Sequence, residues 1–470
     1  MKNCRFFKTV YANNNDALIP ELWAKETLAI LLENMVASNL VYREFKNEIA
    51  NFGDVVNADR PNTFAMKRKT DADDVTIQDA SATSIPVTLN QHMHTSFVIK
   101  DGERSKSFKD LVTYYLEPAV MSIAQGLDKV INGFGPLFLE HSFGQLEGMT
   151  SATVVADILG ARKILNDNKV GTVRNALLTT DADAKFLANS LFTAADQVGD
   201  NGTALREASI GRKYGINWYM GQNTPYVDKT ASDYRSTTVN NASGYPVGTT
   251  AITIAVMTGA VTAGEYITFE KSMYPYRIVS STGGASPTAV VITPPLRDAI
   301  VHGDDVFVYA SGLAEAASIS PLTEYAAGWV KPIVIDGFTA YKAPQVGQIV
   351  AFGSNVYTII EATVTAGATT GSFLLNRPLV ATVADEAVAC FGPAGSYNLI
   401  MAPQALALVS RPLAAPMPGT GALASVVSEY NMSVRVVITY LGTSQGHLVT
   451  VDMLCGVALL DVNQGCLLLG

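Results

Sequence analysis

The strongest constraint on the fold is an internal repeat between Thr237 and Gly395. The stretch AITIAVMTGAVTAGEYITF, which starts at Ala251, matches PIVIDGFTAYKAPQVGQIVAF, which starts at Pro332. Further along, YRIVS matches YTIIE, TPPL matches NRPL and VFVYA matches AVACF, all at an offset of 81 to 83 residues. Gly, Thr, Ser, Val and Ala dominate both copies. We therefore predict two tandem units of about five short strands each, folded as a β-barrel or β-sandwich.

Apolar positions alternate in both copies and correspond to one another. Alternate residues of a strand point to the same face, so these side chains are predicted to lie inside each unit. The pairs are Ile252 with Ile333, Ile254 with Ile335, Ile267 with Ile349, Phe269 with Phe352 and Ile278 with Ile359. Each unit is expected to have its own small core. A fragment from Thr237 to Gly395 is expected to be soluble, monomeric and rich in β-structure.

The sequence on both sides of the repeats mixes helical and extended patterns. Helical spacing covers residues 20 to 46, which begin with a proline, and residues 107 to 132, where Pro118 is predicted to kink the helix. Other helices are predicted over residues 151 to 167 and from near Asp181, with a strand at NALLTT between them. This pattern is α+β. A repeat block inside an α+β domain is an insertion, whose two ends are expected to lie close together in the host domain.

The stretch from Gly53 to Ser107 is polar and charge-dense. Short runs around Val75, Val87 and Phe97 suggest strands, but they contain too few apolar residues to form a core. A structureless loop of about 50 residues is rare in a compact domain. We therefore predict a long two-stranded arm that needs a partner surface.

Composition limits the possible functions. Charged residues make up 16% of the chain and hydrophobic residues 48%, which suits a protein that hides much of its surface by self-assembly. The net charge is −9 and no basic stripe is present, so the chain is not expected to wrap nucleic acid by charge. No run approaches the roughly 18 apolar residues of a membrane span, and the N-terminus lacks the apolar segment of a signal peptide. A cytoplasmic protein is expected.

Metal and thiol chemistry are not expected. The four cysteines lack C-x-x-C spacing, which indicates free thiols in a reducing compartment. They are Cys4, Cys390, Cys455 and Cys466. His92 and His94 would lie on one face of a strand, but no further ligand follows at metal-binding spacing. We interpret them as polar residues of a strand face, and predict no metal and no cofactor.

A serine-hydrolase motif needs separate consideration. Gly442-Thr-Ser444-Gln-Gly446 spells G-x-S-x-G and His447 follows it. A nucleophile elbow requires a strand before the serine and a helix after it. Residues 434 to 440 alternate as a strand does, but residues 448 to 453 form a second extended run. A hairpin turn also favours Gly and small polar residues. The hairpin is the better interpretation, and no catalytic residue is predicted.

The order of these elements resembles a known family. The chain is similar to the major capsid (coat) protein of tailed double-stranded-DNA bacteriophages with the Hong Kong 97-type capsid fold. It looks most like the branch, typified by a Salmonella podophage, that carries an inserted β-domain. The stretches are AKETLAILLENMVASNLVYREFKNEI, SFKDLVTYYLEPAVMSIAQGLDKVI, EASIGRKYGINWYMGQNTP, NLIMAPQALALVSRPLA and SVRVVITYLGTSQGHLVTVDMLCGVALLD. The resemblance covers nearly the whole chain.

The resemblance implies an α+β capsid fold with an inserted all-β region. The implied parts are an N-terminal arm (1–52), an extended loop (53–106), the spine helix and peripheral domain (107–170), the first part of the axial domain (171–236), inserted tandem β-domains (237–394) and a return to the axial and peripheral domains (395–470). The chain departs from the family by carrying two β-units instead of one.

The resemblance also implies a function and partners. The chain would assemble with itself into an icosahedral shell of hexamers and pentamers, aided by a scaffolding protein and a portal, around double-stranded DNA held by non-specific contact. It would reside in the virion, and in the host cytoplasm during assembly, without a membrane. The extended loop would lie across a neighbouring subunit. Candidate interface residues are Lys67, Arg68, Lys69, Asp71, Asp73 and Asp74, which are expected to pair between subunits.

Two other classes of function were compared with the shell protein. A serine hydrolase would use Ser444 and His447, but these lie too close together on an extended element and no orienting acid is evident. A β-repeat capsid decoration or adhesin protein would explain the repeats, but would give the arm and the long helix no role.

Overall fold

The computed structural model describes residues 20 to 470 with gaps. The gaps are residues 46–50, 61–63, 65, 72–73, 76, 79–82, 104–111, 195–205, 228–233, 258, 285, 310, 317–323, 339–342, 366–367, 394 and 418–420. The described residues form a body of helices and sheets, a two-stranded arm and two β-units. The fold is thus mixed, with many strands and few helices.

The helices are short. They are α1 (Pro20–Asn34), α2 (Glu117–Asn132), α3 (Val154–Asp167), α4 (Thr180–Leu187) and α5 (Ser190–Thr193). A π-helical turn, Val112–Leu116, leads into α2. The 3-10 turns are Ala37–Asn39, Asp101–Glu103, Gly135–His141, Pro403–Ala405 and Val462–Gln464.

The strands fall into three groups along the chain. Before the repeats lie β1 (Val55–Arg60), β2 (Thr83–Thr88), β3 (Gln91–Lys100), β4 (Ser142–Gly144), β5 (Asn175–Leu178), β6 (Gly211–Lys213), β7 (Ile216–Met220) and β8 (Tyr226–Val227). The repeats contain β9 (Tyr234–Thr238), β10 (Ala251–Thr253), β11 (Tyr266–Phe269), β12 (Ser272–Thr282), β13 (Ala289–Thr293), β14 (Asp305–Tyr309), β15 (Ser311–Ala314), β16 (Glu324–Tyr325), β17 (Ile333–Asp336), β18 (Ile349–Phe352), β19 (Asn355–Val364), β20 (Gly371–Leu375), β21 (Val383–Ala384) and β22 (Val388–Phe391). After them come β23 (Gly395–Met401), β24 (Leu406–Arg411), β25 (Leu423–Glu429), β26 (Met432–Leu441), β27 (Gly446–Leu459) and β28 (Gly465–Leu469).

Helix α1 is shorter than the sequence predicted, because a buried acid binds the chain after it. The carboxylate of Asp128 in α2 accepts hydrogen bonds from the backbone N–H of Val36 at 2.9 Å, and from the N–H and hydroxyl of Ser38 at 3.1 and 2.8 Å. The side chain of Asn39 donates to the Met35 carbonyl at 2.6 Å, which satisfies one of the free carbonyls at the helix end. The prediction of a helix to residue 46 is therefore wrong beyond Asn34.

The predicted long helix changes its geometry next to Pro118. Proline has no N–H, so the carbonyl four residues earlier loses its helical donor. The turn that precedes it, Val112–Leu116, is π-helical, and regular α-helix begins at Glu117. Residues 107 to 111 of the prediction lie outside the described part of the chain.

Two sheets form the body. One has the order β4-β28-β23-β5-β7-β6, and α3 and α4 flank its core of Ile158, Leu165, Phe186, Trp218 and Leu468. The other is built on the long strand β27, which pairs with β24, β26 and β3, while β25 pairs with β26. Helices α1 and α2 pack against this second sheet and against each other. The predicted helices at 151–167 and near Asp181, and the strand between them, are confirmed.

The two ends of the repeat block lie side by side. Strand β8 leads into the block and β23 leads out of it. They pair directly, with Val227 opposite Gly395 and Tyr226 opposite Ser396. The prediction that an insertion returns to the place where it left the host is confirmed.

The two units share one strand order. The first runs β10-β13-β12-β11-β14-β9, and a bridge between Val239 and Ile254 brings β9 back beside β10. The second is a closed barrel, β15-β17-β20-β19-β18-β22. Strands β9, β10, β11, β12, β13 and β14 of the first unit correspond, in that order, to strands β15, β17, β18, β19, β20 and β22 of the second. With this correspondence, the two units have the same strand order when it is read around the barrel. Both also have a bulge at the same place, after Ile278 and after Ile359. The repeat is therefore structural.

The predicted inward-facing positions are confirmed, but the prediction of two separate cores is wrong. All five apolar pairs named above are buried. In the second unit most buried apolar side chains form a separate cluster, which includes Ile335, Phe352 and Phe373. In the first unit they are continuous with the core of the body, so that Phe269 belongs to the same cluster as Trp23 of α1. The first unit also begins at Tyr234, three residues before the predicted boundary.

Both units are attached to the segment that follows α2. From the first unit, Arg297 donates to the backbone and hydroxyl oxygens of Ser142, at 2.8 Å each. Its guanidinium lies 3.9 Å above the ring of Tyr274. From the second unit, the Thr358 hydroxyl donates to the Gly133 carbonyl at 3.0 Å. The host domain therefore does not close independently of the units.

Candidate intersubunit surface

The predicted arm is a two-stranded antiparallel ribbon. Strands β1 and β2 pair over their full length, from Val55 opposite Thr88 to Arg60 opposite Thr83. At its base the Gly53 N–H donates to the Leu89 carbonyl and the Leu89 N–H donates to the Asp54 carbonyl, each at 2.8 Å. An isolated two-stranded ribbon is at best marginally stable in water. The arm is therefore expected to depend on a surface at its root or along its length.

The root of the arm packs on the body of the same chain. Ala58, Val87 and Leu89 are buried against Val409 and Leu454 of strands β24 and β27. Gly456 makes this approach possible, because a Cβ at that position would collide with the backbone oxygen of Thr88. The arm was predicted to have no core, and for its root that prediction is wrong.

The arm exposes large apolar side chains, two of them at its base and the others beyond the paired strands. Their exposed fractions lie between 52% and 86%. They are Phe52, Val55, Phe64, Met66, Val75 and Ile77. Because exposed apolar side chains that cluster can form interaction sites, this part of the arm is a candidate interaction site. The sequence analysis missed Phe64 and Met66, although a Phe and a Met in the polar run FAMKRK were a visible signal.

The candidate charged residues lie on the same part of the arm. Lys67, Arg68, Lys69, Asp71 and Asp74 are exposed. Within the part of the chain that the structure describes, no ion pair joins the three basic residues to an acid. Asp73 lies outside the described residues. Pairing of these groups between subunits stays a prediction.

The arm is shorter than predicted at its C-terminal side. Residues 91 to 100 form β3, which pairs along its length with β27, from Gln91 opposite Cys455 to Lys100 opposite Gly446. Ile99 is buried and Phe97 stacks on Tyr115 at 5.9 Å. This strand belongs to the body sheet, because β27 offers it a full set of backbone partners. The extended segment thus ends near residue 90.

The G-x-S-x-G sequence is a hairpin turn. Strand β26 ends at Leu441, β27 begins at Gly446, and these two residues pair. Ser444 is exposed and its N–H bonds the Leu441 carbonyl at 3.2 Å. The ring of His447 packs edge-on against Tyr440 at 5.2 Å. A strand follows the serine where an elbow requires a helix, so the hairpin interpretation is confirmed.

Replacement of Ser444 by Ala should therefore change nothing measurable. The side chain is exposed on a turn, and a surface substitution of this kind usually alters the free energy of unfolding by less than about 0.5 kcal/mol. Purified Ser444→Ala and unaltered protein should hydrolyse a p-nitrophenyl ester at the same background rate and assemble equally. A hydrolytic activity that disappears with the substitution would contradict the hairpin assignment.

The histidine pair lies on a strand face, as predicted. The rings of His92 and His94 on β3 are 6.3 Å apart. His92 Nε2 is 3.4 Å from a carboxylate oxygen of Asp452, an acid that sequence spacing did not reveal. Both oxygens of Asp452 bind the guanidinium of Arg435. This carboxylate is thus occupied as an ion-pair partner.

The described cysteines are free thiols, as predicted, and they are also buried, which the sequence did not indicate. Burial raises the thiol pKa of Cys390 to about 11, and that of Cys455 and Cys466 to about 12. A thiol with such a pKa is protonated at neutral pH and unreactive. Cys4 lies outside the described residues.

The described residues contain no group of three or more His, Cys, Asp or Glu side chains placed to hold a metal ion. Their helices include none with the length and apolar character needed to cross a membrane.

Comparisons with known proteins give low-identity structural similarities. No family model and no curated protein matches the chain. A structure of Mycobacterium phage Che8 is 12% identical, with a TM-score of 0.38 over 92% of this chain and 90% of that one. The capsid structure of the cyanophage P-SCSP1u is 8% identical, with a TM-score of 0.42 over 93% and 88%. The mature capsid of bacteriophage PhiM1 is 8% identical, with a TM-score of 0.35 over 92% and 86%. These values are too low to assign the chain to a family.

Proposed function

We propose that this chain is the major capsid protein of a tailed bacteriophage, and that it assembles with itself into an icosahedral shell around double-stranded DNA. The observation that carries the proposal is the arm. It is a ribbon with a packed root, and it exposes large apolar side chains to solvent. Such a ribbon is stabilised when a neighbouring copy covers it.

The proposal also draws on composition and sequence resemblance. Few charges and many apolar residues suit subunits whose faces are mostly interface. A net charge of −9 suits a shell that lets DNA enter and leave without binding it tightly. Because the sequence resembles Hong Kong 97-type coat proteins, the proposal includes assembly through hexamers and pentamers. It also includes a scaffolding protein and a portal as partners during assembly.

The parts of the chain are proposed to follow that family. In this division, residues 1–52 are the N-terminal arm, 53–106 contain the extended loop, and 107–170 hold the spine helix and peripheral domain. The repeats, at 237–394, face the outside of the shell, where added bulk meets no steric barrier. Shell images with their density on the inner surface would contradict this placement.

Electron microscopy of the purified protein tests the function. We expect negatively stained shells of uniform diameter, with or without an added scaffolding protein. A decoration or adhesin protein would stay monomeric or form small oligomers, and would not close shells by itself. Persistent monomers under all assembly conditions would contradict the proposal.

Charge reversal on the arm should impair assembly without unfolding the subunit. Replacement of Lys67, Arg68 and Lys69 by Glu would turn their attraction to acidic groups of a neighbouring subunit into repulsion. One exposed pair contributes only about 0–1 kcal/mol, but a shell repeats each pair in every subunit. We expect unchanged circular dichroism and a loss of most shells at physiological salt.

A matched variant reverses three exposed basic residues of the body, Lys25, Lys163 and Arg212. It carries the same change in net charge, so it separates the position of the charges from their number. Normal assembly of the arm variant would show that its charges form no essential pairs.

A further inference from the structure

A cleft lies in the seam between the two β-units. Its volume is about 510 Å³. The first unit contributes Ala263, Gly264 and Arg277 to its lining, and the second contributes residues of strands β18, β19, β21 and β22. The family that the sequence resembles carries one such unit. The seam therefore belongs to the second copy, which distinguishes this chain.

Arg277 is the only charged side chain among the described residues that line the cleft. One edge of its guanidinium is held, because Nε and Nη2 donate to the Gly264 carbonyl at 3.2 and 2.9 Å. The group also lies 5.3 Å above the ring of Tyr266. Within the described part of the chain no acid forms an ion pair with Arg277. Its Nη1–Nη2 edge is left for a ligand, and this edge matches the two oxygens of a carboxylate.

The acid next to this glycine, Glu265, is occupied elsewhere. It is buried, and its carboxylate accepts hydrogen bonds from Arg235 at 2.8 Å and from the Thr262 N–H at 3.0 Å. Its other oxygen accepts from the hydroxyl of Ser311, the first residue of the second unit, at 3.0 Å. Arg235 thus balances the charge of Glu265, and the charge of Arg277 is left without a counter-ion.

The second unit provides an internal comparison. In the sequence repeat, Gly264 corresponds to Gly347 and Arg277 corresponds to Thr358. Both glycines have a positive φ, +97° and +91°, so the local backbone is the same. Thr358, however, is buried and donates to the Gly133 carbonyl of the body. The same position is therefore a packing contact in the second unit and an unpaired cation in the first.

The wall opposite Arg277 is largely apolar. It includes Phe352 and Val383, which are buried, and Val388, which exposes 36% of its surface. A pocket of about 300–1,000 Å³ is the usual size for a small ligand. One cation next to an apolar wall complements a ligand that has a single negative charge and a hydrocarbon part.

We propose that the seam cleft binds a small organic acid, with its carboxylate on the free edge of Arg277 and its hydrocarbon part against the wall of the second unit. A ligand in this position contacts both units and fixes their relative orientation. The site lies within one chain, so this inference goes beyond the proposed function and does not depend on it.

Titration calorimetry on the full chain tests the site, with octanoate as the probe. We expect one octanoate per chain, bound at least tenfold more tightly than octanamide, which has the same hydrocarbon part and no charge. Arg277→Gln should weaken octanoate binding at least tenfold, because it removes the charge and the paired donors. Equal affinity for the two probes, or unchanged binding by a folded Arg277→Gln chain, would overturn the proposal.

A second variant leaves Arg277 in place, because its bond to Gly264 also supports the fold. Val388→Glu puts a carboxylate on the opposite wall, where it should compete for Arg277, whereas Val388→Gln is similar in size and neutral. We expect the Glu variant to bind octanoate several-fold more weakly than the Gln variant, and circular dichroism checks that both are folded. Equal affinities would contradict the contact with Arg277.

A control variant excludes binding in a different cleft. Lys331 is an exposed cation that lines a cleft between the second unit and the body. Lys331→Gln should bind octanoate as the unaltered chain does. A loss of binding in this variant would place the ligand in that other cleft and overturn the proposal.

A further probe distinguishes a free acid from the carboxyl end of a polypeptide. The acetylated tripeptide Gly-Gly-Leu carries a carboxylate and an aliphatic group, but its peptide groups need hydrogen-bond partners that an apolar wall lacks. Octanoate should therefore bind several-fold more tightly. Tighter binding of the tripeptide would overturn the assignment to a free acid.

The outcomes separate this inference from the proposed function. Chains that form shells but bind no octanoate overturn the seam site and leave the capsid function standing. Chains that bind octanoate through Arg277 but never form shells support the seam site and contradict the capsid function.

Discussion

Excised from the chain, residues 311 to 392 should fold by themselves, whereas residues 234 to 309 should not. The second unit contains a closed six-stranded barrel, which leaves none of its own strands at an edge, and it has its own cluster of buried apolar side chains. The first unit closes through a single bridge, and its apolar side chains continue into the core of the body. Its isolation would expose residues such as Tyr274 to water.

Circular dichroism with thermal unfolding measures the difference. We expect a β-type spectrum and a cooperative transition for the second unit, and aggregation or a disordered spectrum for the first. The fragment of both units, from residue 234 to 393, serves as a control for the cut at residue 310. If the first unit melts cooperatively alone, its core is independent of the body and our description of a shared core is wrong.

Replacement of Asp128 by Ala should cause the largest loss of stability of any single substitution considered. The carboxylate accepts three hydrogen bonds from Val36 and Ser38, and these donors are enclosed between α1 and α2. A buried donor left without a partner costs about 1–3 kcal/mol. We expect the free energy of unfolding to fall by about 3 kcal/mol, measured by urea denaturation. Lys129→Ala, at the next position, is the control and should have little effect.

Asp128→Asn adds a measurement of pH dependence. Burial raises the carboxyl pKa of Asp128, and hydrogen bonds from residues 36 to 38 oppose this rise in part. A raised pKa means that the folded chain binds the proton more tightly than the unfolded chain. The part of the stability that depends on this bound proton is therefore complete below the unfolded pKa of about 4 and is lost as the pH rises through the folded pKa, while the hydrogen bonds that the carboxylate accepts remain. The stability advantage over Asp128→Asn should shrink with rising pH, and an advantage that grows would contradict the raised pKa.

Local sequence patterns predicted the elements whose partners are near in sequence. The sequence repeat predicted two copies of one unit, because Ile252 and Ile333 lie in equivalent strands whose apolar residues alternate in the same way. The turn at Ser444 was predictable because both of its flanks alternate. The arm was predictable as a two-stranded ribbon because the segment contains few apolar residues. The strand predicted around Val75 is wrong for the described residues there, since the partner of β2 is β1, Val55–Arg60, and Val75 and Ile77 are exposed outside the strands.

The features of the fold that were not predicted depend on contacts between residues distant in the chain. A single sequence does not show such contacts. Helix α1 ends early because Asp128, some ninety positions away, binds Ser38. The assignment of β3 to the body depends on strand β27 near the C-terminus. The shared core of the first unit arises from packing between segments that are separate in the sequence. Periodicity identified the apolar face of each strand but not the surface that covers it.

The pairing of β8 with β23 has a consequence for the history of the protein. A segment whose two ends lie side by side can be gained by a chain at small entropic cost, since the host strands need not move apart to admit it. Once Arg297 had bonded to Ser142, and Tyr274 had joined the core of the host, loss of that segment would leave buried groups uncovered. Acquisition was thus easier than removal. Such an asymmetry favours retention: a chain built in this way can gain a second copy of the unit more readily than it can lose the first.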